Sequence, residues 1–402
     1  MRALLAICLS LLSYHALSQS ITISGKVVDS ATQEPLQFAS VGIQGKSIST
    51  ITNLQGEFDF HLPPDYRNEI LVISMLGYNN FEAPIWSLLS EKNPLIRMEK
   101  STTVLEEIVI TDSLKGSDIL RIALSRIEEN FPMEPFLMDG FYRDVKKVGG
   151  TYISLLEAAV KIYDANYAEP RNKYRLRERV QLVEVRQSLG YENRFTPYFD
   201  QTNLLEDLLL QNDVRYRHIT SEDDLINGMA RENDSYYNGH AIYVVSHTKD
   251  FLLRFFIDKQ DYAIIHLEYE TGESDQVINK RKGLYSKFEG LKKIVDFKKY
   301  QDKMYLNFMT VTSKINWYDD RTNKLQFETE LYQQLLINQV RPNSDQRISS
   351  TEKMRNYGLQ YQDLPYNKKF WENYNVIKET PLDKKVLVDL EKLVPLDKQF
   401  EN

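Results

Sequence analysis

Cysteine is all but missing from this chain: Cys8 is the only one in 402 residues. It sits in the first apolar run, so the chain beyond it has no disulfide and no thiol nucleophile. Histidine is scarce, six in all, and none stands in the His-Glu-x-x-His spacing that puts two imidazoles on one helix face. A Gly-x-Ser-x-Gly elbow is missing, which removes the usual serine hydrolase arrangement. A glycine-rich phosphate loop is missing too; Gly149-Gly150 lies between alternating stretches, as a hairpin turn does. Beyond residue 20 no apolar run reaches the ~20 residues of a membrane helix. Net charge is −7, and no basic stretch carries interleaved aromatics, so nucleic acid is not an expected partner.

Aromatic residues, by contrast, are abundant. The 25 Tyr and 18 Phe lean the chain toward β structure, where rings pack across strands. A composition 42% hydrophobic and 27% charged is that of a folded globular protein, and the length suits two domains. Residues 1–18 read as a targeting segment. Arg2 supplies the positive end, residues 3–12 a short apolar run, and Ala16-Leu17-Ser18 the small residues before a cleavage at Gln19. Cys8 follows the bulky Ile7, so it reads as part of that segment and not as a lipid-attachment site. The expectation is export, to the periplasm or to the periplasmic or outer face of the outer membrane.

Short strands with polar turns follow. Residues 21–29, 36–45 and 69–78 read as strands, the last with Gly77 as a bulge or close approach. The centre is Thr50-Ile-Thr-Asn53-Leu-Gln-Gly56-Glu-Phe58-Asp-Phe60, expected as a hairpin of strands 48–53 and 57–62. Asn53 and Gly56 supply the turn, and Phe58 and Phe60 alternate with Glu57 and Asp59. Residues 95–98 and 105–110 complete six or seven short strands, a sandwich pattern.

The ordered set Ile23-Ser-Gly25-Lys-Val27-Val-Asp29, Pro35-Leu-x-Phe-Ala39-Ser-Val41, Thr50-x-Thr-Asn53-x-x-Gly56-x-Phe58 and Ser74-x-x-Gly77-Tyr78 resembles the carboxypeptidase regulatory-like domain. The trailing Leu105-Glu-Glu107-Ile-Val-Ile110 is similar to the segment that follows this domain in many envelope proteins. The resemblance implies a transthyretin-like β-sandwich at residues 19–111, an extracytoplasmic accessory module without catalytic residues of its own. Such modules accompany metallopeptidases and precede TonB-dependent outer-membrane receptors. Here no peptidase zinc motif follows, and the remaining chain is too short and wrongly patterned for a large barrel.

After a linker at 112–116, residues 117–402 read as an α+β domain. Ser117 or Asp118 caps a helix running to about Asn130, with Ile119, Ile122, Ala123 and Ile127 on one face. Residues 136–147 and 151–164 form a long hairpin, with a helix-like interruption at 155–159. An exposed strand is expected over 174–185, a short helix over 204–210, then strands near 240–246, 251–258, 263–269, 291–299, 303–313 and 325–336. A helix followed by such a meander resembles the outer-membrane lipoprotein carrier fold. That implies a curved antiparallel sheet whose concave face, lined from residues 240–313, holds an apolar ligand. Phe370-Trp371 reads as an aromatic anchor before a short helix packed on the sheet.

Chemistry-bearing groups are few. His266 and Glu268 share a strand face and His247 and Asp250 flank a turn, as a metal-dependent hydrolase would use them. They read instead as solvent-facing polar positions. Glu222-Asp223-Asp224 and Asp319-Asp320 with Asn323 offer hard oxygens for calcium, yet match no EF-hand and read as loops and turn caps. Tyr236-Tyr237 and Phe370-Trp371 read as packing aromatics before groove linings. The chain is therefore expected to be mainly β and not an enzyme. No catalytic, metal or cofactor-binding residue is assigned and no cofactor is expected. The expected role is to bind an apolar or surface ligand or to dock to an outer-membrane or periplasmic protein. A structural adaptor of an outer-membrane assembly and a metal-dependent hydrolase are the alternatives.

Overall fold

The computed structural model describes residues 20–101, 114–189, 193–199, 203–354, 358–362, 364–378, 381–392 and 394–400. The expected targeting segment, the expected strand 105–110 and the first two residues of the linker at 112–116 fall outside these residues.

The first seven strands make a two-sheet sandwich. They are β1 (Ile21–Asp29), β2 (Ser40–Ile43), β3 (Ser49–Ile51), β4 (Glu57–Leu62), β5 (Ile70–Ser74), β6 (Phe81–Pro84) and β7 (Leu95–Met98). One sheet runs β4-β1-β7, with β1 and β7 parallel; the other runs β3-β2-β5-β6. Between them Ile23, Val27, Phe58, Phe60 and Met98 meet Val41, Ile43, Leu71 and Ile73 in one buried core. The expected hairpin is corrected here. β3 pairs with β2 and β4 with β1, so the turn carries the chain from one sheet to the other. The turn itself is as expected: the Asn53 carboxamide accepts from the amides of Gln55 (2.9 Å) and Glu57 (2.8 Å). Asn53 is strongly buried, and its alternating neighbours satisfy both sheets, which is why pattern alone could not separate hairpin from crossing.

Gly56 takes a left-handed φ of 72°. A Cβ there would lie 2.3 Å from the backbone oxygen of Val27, which itself accepts from Leu36 (3.0 Å). Neither atom has room to yield. Gly56→Ala is therefore expected to cost about 2–4 kcal/mol from the strained φ and the clash together. Urea denaturation checks this; a loss under about 0.5 kcal/mol would show that the turn relaxes freely.

The second sheet has twelve strands. They are β8 (Phe136–Val148), β9 (Thr151–Asp164), β10 (Arg179–Gln187), β11 (Ala230–Arg231), β12 (Ser235–Tyr237), β13 (His240–His247), β14 (Leu252–Asp258), β15 (Ile264–Thr271), β16 (Ser274–Arg281), β17 (Leu284–Tyr300), β18 (Lys303–Asp319) and β19 (Leu325–Arg341). Their order is β10-β9-β8-β19-β18-β17-β15-β14-β13-β11, with β12 on β13 and β16 on β17. The sheet is open. Gly149 and Gly150 both have positive φ, the two-residue turn whose twist matches its flanking strands. The suspected interruption at 155–159 is plain strand within β9. Leu156, Ala158 and Ala159 are buried, because this stretch is covered on both faces, where alternation disappears. The strand expected over 174–185 starts only at Arg179.

Helix α1 (Gly116–Ser125) covers most of the expected span, but its N-cap is Lys115 and not Ser117 or Asp118, and it ends at Arg126 before a separate turn, Ile127–Asn130. Ile119, Leu120, Ala123 and Ile127 join the core on one face of the sheet that also holds Val295, Phe297, Met309, Leu335 and Ile337, and the helix itself runs beside β11 and β13. On the opposite face the sandwich packs directly. Phe38 stacks on Phe308 at 5.5 Å, Ile51 joins Phe141 and Leu336, and Ile48 bridges to Gln339. Trp371 and Ile377 fill the same seam, so the aromatic anchor sits where the sheet and the first module meet.

Candidate functional site

β17, β18 and β19 present two different surfaces, because adjacent residues of a strand point to opposite faces. Leu291, Ser313 and Leu331 are paired neighbours in one row, and Lys293, Val311 and Gln333 in the next. These rows floor a groove. The residues between them, Lys292, Thr312 and Tyr332, look toward the sandwich, where Gln37, Phe38 and Leu54 help close a smaller crevice of about 390 Å³.

The groove is roofed by three short helices, α2 (Leu204–Leu210), α3 (Asp213–Tyr216) and α4 (Asp223–Asn227). Asparagines start two of them: Asn203 accepts from the amide of Glu206 (3.4 Å) and Asn212 from that of Arg215 (3.0 Å). Two lobes result, of about 650 Å³ and 700 Å³, meeting at Gln211 and Leu291. The first is lined by Leu204, Leu210, Val311, Ile315 and Leu331, broken by Ser313 and Thr329. The second is lined by Phe251, Leu253, Tyr269 and Phe288, with Lys293 and Asp213 at its edge. Lys293 bonds Asp213 at 2.6 Å and Asp213 bonds His218 Nδ1 at 3.0 Å, which pins α3 to the sheet between the lobes. Burial works against the charge of Asp213, but Lys293 and His218 outweigh it and lower its carboxyl. At the outer end of the first lobe, Tyr198 meets Trp317 (4.8 Å) and Phe327 (5.1 Å) edge to face.

Behind α3 lies a buried charge cluster. Arg215 donates to both oxygens of Asp164 (2.6 and 3.1 Å) and to the Ala168 carbonyl (3.2 Å). Glu178 accepts from the Tyr216 hydroxyl. Burial, then repulsion from Asp164, pushes the Glu178 carboxyl up from 4.5 to about 7. Between those two values the native protein holds a proton that the unfolded chain has lost, so stability falls as pH rises through this window. Glu178→Gln keeps an acceptor for Tyr216 and is expected to gain on the order of 1–2 kcal/mol at pH 8 and little at pH 4. Urea titrations at both pH values check it; equal effects at the two would show that Glu178 ionises normally.

The expected positions fall out as follows. His266 and Glu268 do share a face, Nε2 to Oε1 at 3.6 Å, but the solvent-facing reading is wrong for His266. It is buried under the sandwich, with Nδ1 2.8 Å from Asp296, and Asp296 also accepts from Asn307 (2.9 Å). Burial pulls the imidazole down, yet Asp296 and Glu268 carry it up to about 9. The void beside Asn307 is about 20 Å³, room for about one water and for no substrate. His247 lies tilted against Phe251, with ring centres 4.9 Å apart. Asp223 pairs with Arg121 at 3.0 Å, and Asp319 accepts from the amides of Arg321 (3.1 Å) and Thr322 (2.8 Å). Tyr237 is buried with its hydroxyl 3.4 Å from Ser74. No cluster of three potential metal ligands occurs among the described residues.

The groove floor extends beyond the expected 240–313 to Thr329, Leu331 and Gln333 of β19, and its roof lies in 204–227. The roof had one legible element, the 204–210 helix. β12 was missed although Asn238-Gly239 after Tyr236-Tyr237 is a strong hairpin signal.

Residues 23–110 match the family model of the CarboxypepD_reg-like domain. The first module is therefore a carboxypeptidase regulatory-like domain. In the curated proteins, 99 residues, 25% of this chain, are 31% identical to the TonB-dependent receptor SusC of Bacteroides thetaiotaomicron, of which they cover 9%. The chain thus spans less than a tenth of that relative's length. Among solved structures, MucB in complex with MucA(peri) aligns over 57% of this chain and 99% of its own at 9% identity, TM-score 0.18. A protein of unknown function from Bacteroides fragilis NCTC 9343 aligns over 80% of this chain and 98% of its own at 10% identity, TM-score 0.16. Scores this low carry no argument about fold or function. No helix among the described residues is long and apolar enough to cross a membrane.

Proposed function

We propose that this chain is an exported, non-catalytic binding protein of the cell envelope, with a regulatory-like sandwich joined through residues 112–116 to a domain that holds an amphipathic ligand. The carrying observation is the two-lobed groove under α2–α4, whose floor alternates Leu291, Val311, Ile315 and Leu331 with Ser313, Thr329 and Lys293. Apolar walls with a few placed polar groups are the usual make-up of a small-molecule site. The likeness of a quarter of the chain to the SusC receptor supports the envelope. Trp86, 57% exposed on the short helix Ile85–Leu88 of the sandwich, supports a second reading, docking of that module to an envelope protein.

Native mass spectrometry of protein purified without detergent tests the first reading. The expected result is an added mass that disappears on denaturation. Ser313→Trp, which plugs the first lobe, is expected to remove it without unfolding the chain. A wild-type protein that carries no added mass, even after incubation with a lipid extract, would defeat the groove reading and favour docking.

A further inference from the structure

Two hairpin ends lie side by side at one end of the twelve-stranded sheet. The β16–β17 turn meets the β18–β19 turn where the Asp320 amide donates to the Gly283 carbonyl (3.0 Å) and the Tyr285 hydroxyl to Asn323 (3.3 Å). Tyr285 and Tyr318 stack at 5.4 Å between them. Pairing thus gathers charges that lie far apart in sequence. Lys280, Arg281, Lys282, Arg321 and Lys324 are all exposed, against only Asp319 and Asp320 in residues 280–285 and 318–325. None of the five cations forms a salt bridge among the described residues; Asp319 accepts from the amides of its own turn and attracts Arg321 without a direct contact. Exposed apolar side chains flank them: Val277 at 47%, Ile278 at 45% and Leu325 at 54%. In a chain of net charge −7, these two hairpin ends together carry a charge of +3.

We infer that these hairpin ends dock on an anionic lipid membrane. Cations above aliphatic and tyrosine side chains suit a surface of phosphate headgroups over acyl chains. The same end adjoins the groove: Arg281 donates to the Pro197 carbonyl, and the next residue, Tyr198, lines the first lobe and meets Trp317. Docking would set the aromatic mouth of that lobe against the bilayer. The docking surface stands on its own residues; only this use of it rests on the proposed groove.

The test is co-sedimentation with vesicles of phosphatidylcholine alone or mixed with phosphatidylglycerol. The wild-type protein is expected to sediment with the anionic vesicles at low salt and to release at high salt. Lys280→Glu, Arg281→Glu, Lys282→Glu and Arg321→Glu together are expected to lower partition at least about tenfold, with an unchanged melting temperature. Should that set unfold, the same four changed to Gln read the charge alone, again with lowered partition. Ser313→Trp is expected to sediment as wild type. Equal sedimentation of wild type and charge variants, equal sedimentation with both vesicles, or none with either overturns the docking surface. Loss of the groove ligand in wild type with sedimentation intact strikes the groove reading instead.

Discussion

Arg215→Met is expected to destabilise the protein by about 3–5 kcal/mol, the usual consequence of removing one partner of a buried ion pair. Arg215 is 1% exposed and Asp164 2%, so neither charge has water to fall back on. Without the guanidinium, the Asp164 and Glu178 carboxylates are left facing each other in the interior. The Ala168 carbonyl loses its donor as well. Because α3 carries Arg215 on one side and Asp213 on the other, the change should also loosen the wall between the two lobes. Urea denaturation gives the stability loss. Adding Asp164→Asn to the same chain should recover much of it, since the penalty comes chiefly from the orphaned charge. A double variant no better than the single would place the effect in packing against Tyr167 and not in electrostatics.

Glu157 is expected to be nearly as sensitive. It is 2% exposed between two arginines, at 2.6 Å from Arg143 and 2.5 Å from Arg186. Burial opposes its charge, but Arg186 and Arg143 outweigh that and lower its carboxyl. Arg143 goes on to the Ile377 carbonyl (3.1 Å), and the Arg186 guanidinium lies 4.4 Å over the Trp371 ring. The carboxylate therefore holds in place the arginines on which the last part of the chain rests. Glu157→Leu is expected to cost about 3–4 kcal/mol and to expose residues 366–400 to protease before the rest of the sheet opens. Cleavage of wild type and variant at the same rate would show that the C-terminal segment is held by its apolar contacts alone.

The strands were the legible part of this fold, and their reasons are local. Alternation in 57–62, the Gly149-Gly150 turn and the apolar runs of 240–269 each state their structure within ten residues. The groove was not legible in that way. Its floor combines Leu291, Ser313 and Leu331, three residues whose meeting depends on long-range register, and its roof is three helices too short to show a clear period. The sheet-crossing turn at Asn53 is a failure of the same kind: turn chemistry fixes the loop but not the partner of the strand that leaves it. His266 and Glu268 were rightly placed on one face, but His266 was wrongly given to solvent, because nothing near it announces that a separate module lies on top.

The two-sidedness of β17, β18 and β19 has a consequence for how this sequence is free to vary. Between the register shifts of these strands, odd positions such as Val311 and Ser313 belong to the groove and even ones such as Thr310 and Thr312 to the seam with the sandwich. Loss or gain of one residue inside β18 would exchange the two inventories along the rest of the strand, spoiling a cavity and an interface in one event. Substitutions on either face are separable; changes of length are not. Descendants of this chain should therefore differ in the length of these strands by pairs of residues, or change length only at their hairpin ends.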